Sequence, residues 1–133
     1  MNSIWLCLAA YGVLPDMPKV AESFGVCVQV AHVATKHGVD ASVAVAQAYH
    51  ETRFRWLVSS VGAEGPLQVV PKYWCTPDQD RIECAVLALR SLIEKHGVKQ
   101  GLAHYGGGNR GYLPYARSVL HLARVVRRSK LYP

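Results

Sequence analysis

Glu51 is an isolated acid in an apolar neighbourhood. From Ala41 to Thr52 the chain is dominated by Val43, Ala44, Val45, Ala46 and Ala48, and after Asp40 the first carboxylate is Glu51. Asp40 has the chemistry of an N-cap, and the apolar run after it predicts a helix from Ala41 to about Thr52. Glu51 then falls in the last turn. A carboxylate there faces the negative end of the helix dipole, and burial further disfavours its charged form. Both effects raise its pKa, which equips a carboxyl group to give up a proton near neutral pH. A surface residue in a frayed last turn explains this helix alone at least as well, so the neighbouring segments decide.

Two of those segments carry further chemistry. The first runs Glu51-Thr52-Arg53-Phe54, then Ser59-Ser60, then Gly62-Ala63-Glu64-Gly65-Pro66-Leu67-Gln68-Val69-Val70-Pro71. Its glycines allow tight turns and a backbone that lies close to a ligand. Such a backbone offers N–H and C=O groups to the hydroxyls of a sugar, and Gln68 adds a donor and an acceptor. An ordinary glycine-rich loop has the same composition. The second segment is Ala103-His104-Tyr105-Gly106-Gly107-Gly108, followed by Tyr112 and Tyr115. A tyrosine hydroxyl can orient a carboxyl group and its ring can stack on a sugar face, although isolated tyrosines more often belong to a core.

Metal chemistry finds no support. His50-Glu51 opens an HExxH pattern, but Phe54 occupies the second histidine position, and the six histidines offer no other ligand spacing. There is no CxxC pair, so neither a zinc knuckle nor a redox motif is expected. No cofactor and no metal are anticipated. The four cysteines allow three pairings. Cys75–Cys84 brackets a short polar loop and is the easiest to join, and Cys7–Cys27 would then tie the first two helices together. Four buried free thiols are the alternative.

These residues need a scaffold, and the pattern supplies a helical one. A chain of 133 residues, half of them apolar and 18% charged, suits one compact domain over 1–133. Ile4–Tyr11 reads as a short apolar helix ended by Gly12 and Pro15. A second helix has Pro18 in its first turn and stops at Gly38, with Val20, Phe24, Cys27, Val28, Ala31 and Ala34 at helical spacing. The third helix, apolar nearly all round, belongs in the middle of the domain. Residues 55–79 read as loop with a helical turn near Leu67. Asp80 starts a helix closed by Gly97, a short helix covers Lys99–His104, and the last runs from Leu113 to about Arg128. No repeat and no linker interrupts them.

Charge and hydropathy bound the partners. Formal net charge is +6, which draws the chain to polyanions without choosing among them. The cluster Arg124, Arg127, Arg128 and Lys130 reads as a solvated helix end favoured by the macrodipole. Ile4–Leu14 is too short to span a bilayer, and with no basic residue before it and no clean cleavage site it reads as a core helix, not an export signal. No stable membrane insertion is expected. The turn around Gly38-Val39-Asp40 imitates a helix-turn-helix, but Val43–Ala48 gives a recognition helix little to read bases with, so no nucleic acid is expected.

Taken in order, the three segments resemble the soluble lytic transglycosylase family of the lysozyme superfamily. Family members commonly read Glu-Ser-x-Phe, then Gly-Ala-x-Gly-Leu-Met-Gln, then Ala-x-Tyr-Asn-x-Gly, with a later tyrosine leading the last helix. Here these are Glu51 to Phe54, Gly62 to Gln68, Ala103 to Gly108, and Tyr115-Ala116-Arg117-Ser118-Val119-Leu120. The resemblance covers about residues 38–122. Each motif alone is weak, and their order and spacing carry the likeness. The chain departs from it where Thr52 replaces Ser, Pro66 and Leu67 replace Leu-Met, and Gly106 replaces Asn. The gap after Glu51 is also one residue shorter than usual.

The resemblance implies a mainly α, lysozyme-like fold with a loop-rich glycan-binding segment, acting on peptidoglycan strands as a monomer or within a virion or secretion assembly. The reaction implied is cleavage of the β-1,4 bond between N-acetylmuramic acid and N-acetylglucosamine with closure of a 1,6-anhydro sugar. Glu51 would be the one acid/base, supported by Tyr105 and Thr52, with Tyr105 holding it. Ser59, Ser60, Gly62, Ala63, Gly65, Gln68, Tyr112 and Tyr115 would form the sugar-binding set. A goose-type hydrolytic lysozyme shares the fold, and Glu64, Asp78 or Asp80 would then serve as a second carboxylate. A wall-binding protein that kept the fold without turnover is a further possibility. The implied place of action is the periplasm or cell wall, reached through virion association or release at lysis.

Overall fold

A computed structural model describes residues 2–132, and 66% of these residues are helical. Among the described residues seven α-helices run in the order α1 Ser3–Val13, α2 Ala21–Lys36, α3 Ala41–Thr52, α4 Pro71–Trp74, α5 Arg81–His96, α6 Val98–Gly107 and α7 Leu113–Arg127, with a 3-10 turn at Gly108–Arg110. The mainly α expectation therefore holds.

The organising element is α3. Asp40 Oδ1 caps it, accepting from the Ser42 backbone N–H at 2.9 Å and the Ser42 hydroxyl at 2.6 Å. Every residue from Ser42 to Tyr49 is buried. Helices α1, α2 and α7 pack directly on α3, while α5 and α6 pair with each other and close the far side through α2 and α7. Burial on all sides leaves α3 no free face to lie in a nucleic-acid groove, unlike a recognition helix.

Several boundaries differ from the sequence expectation for local reasons. The second helix begins at Ala21 behind an extended Val20, so Pro18 belongs to the preceding loop and not to a first helical turn. Helix α6 starts earlier and ends later than Lys99–His104. Around Leu67 there is a turn in place of helix, closed by Gln68 N–H donating to Gly65 O at 3.1 Å. Isolated antiparallel bridges pair Val58 with Glu64 and Glu64 with Val69, so the loop is a folded-back β-like ribbon. The four-residue α4 was not legible at all: Pro71 starts it and Cys75 already leaves it.

Both foreseen cysteine pairs are joined. Cys7–Cys27 ties α1 to α2, and Cys75–Cys84 ties the residue after α4 to α5, with Cα separations of 6.0 and 5.5 Å. By loop-closure entropy each bridge stabilises the fold by about 3 kcal/mol. A second clamp acts on the α1–α2 loop, where the Tyr49 hydroxyl donates to Pro15 O at 2.6 Å. No helix among the described residues is long and apolar enough to cross a membrane.

Candidate active site

Glu51 occupies the last turn of α3 with its side chain 21% exposed. Burial pushes its carboxyl above the usual carboxylate range, and the Tyr115 hydroxyl pulls it partly back. The ring of Tyr115 is buried, and its hydroxyl titrates well above the ordinary tyrosine range because burial and the Glu51 charge both oppose a phenolate. The His50 ring meets the Tyr115 ring edge-on at 5.2 Å, and its Nδ1 lies 4.0 Å from Glu51 Oε1. Burial, then the Arg53 charge, lowers the His50 pKa, so at neutral pH this histidine is an uncharged neighbour. One turn before Glu51, Gln47 is 1% exposed; neither of its amide atoms, nor the Tyr115 oxygen, completes a hydrogen bond of good geometry. The carboxyl therefore rests on a sheltered polar patch of unspent hydrogen-bonding capacity.

In front of Glu51 lies an open cleft of about 500 Å³, lined by Asp16, Pro18, Glu51, Thr52, Arg53 and Arg55. A second depression of about 350 Å³ shares Pro18 and Arg55 with it and continues to Trp56 and Leu57. The two adjoin at Pro18 and Arg55, with Glu51 lining the first and the exposed Trp56 indole lining the second. Backbone strain concentrates here: Asp16, Arg53 and Phe54 all adopt positive φ (55°, 56° and 61°), a region costly for side-chain-bearing residues. Phe54 is nonetheless fully buried, stacked at 6.1 Å on Tyr11, and this anchoring over-determines the turn that follows Glu51.

The expected site residues divide into three groups. Glu51 and Thr52 line the cleft. Thr52 is also a strap: its Oγ1 lies 2.9 Å from Pro66 O and 3.2 Å from Ala48 O, and accepts from Arg55 N–H at 3.2 Å. Tyr105 and Tyr115 stand behind the acid, neither in its expected role. Tyr105, expected to hold Glu51, donates its hydroxyl to Leu67 O at 2.8 Å, because α6 places it under the ribbon. Tyr115 is the hydroxyl that acts on the acid.

The remaining residues lie outside the cleft lining. Gln68 spends its amide N–H groups inside the ribbon: Nε2 donates to Leu57 O at 2.9 Å and Gly65 O at 3.0 Å. Ser59 closes its own turn, accepting from Ala63 N–H through Oγ at 3.0 Å. Ser60 and Gly62 are exposed at the ribbon tip, whereas Ala63 and Gly65 are buried. Gly65 matters through packing. It has φ +79°, and an added Cβ would sit 3.2 Å from the Trp56 ring and 3.3 Å from Arg81 Cβ. Tyr112 is 56% exposed as the residue before α7.

The carboxylates proposed for a hydrolytic variant are otherwise engaged or remote. Glu64 Oε2 accepts from Arg81 Nε at 2.7 Å, Asp80 Oδ1 caps α5 through the Ile82 and Glu83 N–H groups, and Asp78 is exposed in a turn. None lines the cleft, but Asp16 does. Sequence reasoning missed Asp16, Arg53, Arg55 and Trp56 as site residues. The Pro15-Asp16-Met17-Pro18 turn was the available signal for Asp16, and the cations flanking Phe54 for Arg53 and Arg55.

Gly106 stands where the resemblance would put asparagine. A Cβ there would lie 2.5 Å from the Tyr115 ring, so the ring packs directly over the α6 backbone and leaves no room for asparagine. No cluster of three or more metal-ligating side chains occurs among the described residues. No family profile, curated protein or solved structure matches the chain.

Proposed function

We propose that this chain is a peptidoglycan lytic transglycosylase on a lysozyme-like fold, with Glu51 as its sole acid/base. One observation carries the reading: a carboxyl group whose pKa is raised by burial stands at the C-terminal end of the central helix, lining an open cleft, beside a buried tyrosine hydroxyl. The motif order around it supplies the substrate class.

In this reading protonated Glu51 gives its proton to the glycosidic oxygen between N-acetylmuramic acid and N-acetylglucosamine. The C1–O bond breaks, and positive charge develops at C1. The Glu51 carboxylate, stabilised at that moment by the Tyr115 hydroxyl, accepts the proton of the muramoyl 6-hydroxyl. That oxygen closes on C1 and forms the 1,6-anhydro ring. The nucleophile belongs to the substrate, so its effective concentration is very high and a second carboxylate is dispensable. Arg53 and Arg55 provide charge for the carboxylates of the peptide stems attached to muramoyl groups. Trp56 offers an aromatic face to a sugar ring. Two disulfides fit work in an oxidising compartment such as the periplasm.

A second reading is favoured by Asp16. A carboxylate across the same cleft could activate water and turn the reaction into hydrolysis. Mass spectrometry of muropeptides released from purified sacculi separates the two: anhydro ends support the transglycosylase, and reducing ends that vanish in Asp16→Asn support the hydrolase. Undiminished digestion by Glu51→Gln would overturn both.

A further inference from the structure

Away from the cleft, the surface of α1 is unusual. Ile4, Trp5, Leu8 and Val13 are 51, 50, 38 and 37% exposed, so large apolar side chains of this helix face outward. Ile4, Leu8 and Gly12 follow one another at four-residue spacing and share one helix face. Leu131, itself 48% exposed, extends that stripe: an added Cβ at Gly12 would lie 3.7 Å from Leu131 Cδ1. Leu131 therefore lies at the Gly12 end of the Ile4–Leu8 face, with Trp5 beside that face. No charged residue lies between Asn2 and Leu14.

The chain that brings Leu131 to this stripe is strongly cationic. After Glu94 the sequence carries eight of its fifteen lysines and arginines and none of its nine acids. Arg117, His121, Arg124 and Arg128 recur at three- and four-residue spacing, and all are exposed, which makes one basic stripe along the outer face of α7 and its end. Lys130 is also exposed, one residue before Leu131. Helices α1 and α7 are in direct contact. A tryptophan-bearing apolar stripe thus runs into a cation cluster with no acid nearby in sequence to neutralise it.

We infer that the α1 stripe and the α7 cations together form a docking surface for an anionic phospholipid bilayer, held at the headgroup level without insertion of a spanning helix. Each half fits a different layer of that partner. Arginine and lysine meet the phosphates, while Trp5, Ile4, Leu8 and Leu131 reach the boundary with the acyl chains. A bare nucleic acid would use the cations and leave the apolar stripe in water. A purely apolar protein partner would leave the cations unpaired. The α1–α2 loop that leaves this surface carries Asp16 and Pro18 to the Glu51 cleft, so docking would hold the groove close to the membrane. The inference is independent of the catalytic reading.

The test uses the full chain with vesicles of phosphatidylcholine alone and of phosphatidylcholine with phosphatidylglycerol. Sedimentation should show binding to the anionic vesicles only, weakened by salt. Each exposed cation near such a surface is worth roughly fivefold in affinity, so Arg124→Gln/Arg128→Gln/Lys130→Gln together should cost roughly a hundredfold. A blue shift of tryptophan emission should appear on binding and be absent in Trp5→Phe but retained in Trp74→Phe. These positions are exposed, and unchanged thermal melts would verify that the variants fold. Equal binding to both vesicle types, or binding to duplex DNA with none to vesicles, would overturn the inference, as would anionic binding that the triple variant leaves intact.

Discussion

The two ends of α3 are built on opposite principles. At the N-terminal end Asp40 places a carboxylate where the helix dipole welcomes it, and its oxygen is spent on the Ser42 N–H and hydroxyl. Arg127 reaches from α7 to the Ser42 oxygen at 2.7 Å and completes the cluster. At the C-terminal end Glu51 places a carboxylate where the dipole opposes it. Arg53 and Phe54, just past the helix end, adopt left-handed backbone, and the Gln47 amide beneath the acid completes no hydrogen bond of good geometry. One end follows the capping rules for a stable helix, and the other sets an acid against the dipole and strained backbone beside it. Local rules are broken where something other than stability is being served.

That contrast can be broken most forcefully at Glu51. Glu51→Gln keeps the shape and removes the transferable proton. Digestion of purified sacculi should fall by roughly a hundredfold to ten-thousandfold, the usual range for loss of a general acid/base group. The melting temperature should not fall with it. An unaltered turnover rate would mean that the unconventional end of α3 is not where the chemistry occurs.

The next effect belongs to the packing that holds Tyr115 against the acid. Gly106→Asn restores the residue common in the resembling family, yet its Cβ would meet the Tyr115 ring at 2.5 Å. Overpacking of this kind costs about 1–3 kcal/mol. Chemical denaturation should register that loss, and activity per folded molecule should drop as the ring is displaced. A stable and fully active variant would mean that Tyr115 does not need its present seat.

Asp40→Ala tests the conventional end. Loss of an N-cap costs about 1 kcal/mol, so the urea midpoint should fall while activity per folded molecule stays unchanged. A disproportionate loss of activity would show that the two ends are coupled and would blur the contrast.

How much of this was legible in the sequence follows the same division. Capping and periodicity are local, so Asp40, Asp80 and the spans of α3, α5 and α7 could be read from composition. The two disulfides could be named because Cys75 and Cys84 bracket a short polar loop, which leaves Cys7 and Cys27 to tie the first two helices. The acid itself was legible because it is the one charge in an apolar run. What surrounds it was not. Whether Tyr105 or Tyr115 serves Glu51 depends on how α6 and α7 rotate against α3, and no pattern within either helix encodes that. Gln68 looked like a sugar-binding amide because its type permits it, whereas the ribbon that consumes its donors forms only once Val58, Glu64 and Val69 pair. Asp16 was missed because it lies 35 residues before Glu51, brought in by a loop that Tyr49 anchors through Pro15.

The smallest expected effect is the most specific to the contrast, because it concerns stability at the end that does the chemistry. Burial raises the folded-state pKa of Glu51 above its reference of 4.5. Between the unfolded and folded pKa values the native state holds this proton more firmly than the unfolded chain, so the native state binds more protons there. Stability then falls as pH rises through that window, and the loss is complete once pH exceeds the folded pKa. Glu51→Gln cannot ionise and escapes the loss. It should therefore melt higher than the parent at neutral pH, and the two curves should converge below about pH 4.5, where both side chains are neutral. Thermal melts of the pair across acidic and neutral pH measure this directly. A parent that is the more stable at neutral pH would mean that the charged carboxylate is welcome where it stands, and the two ends of α3 would then be alike.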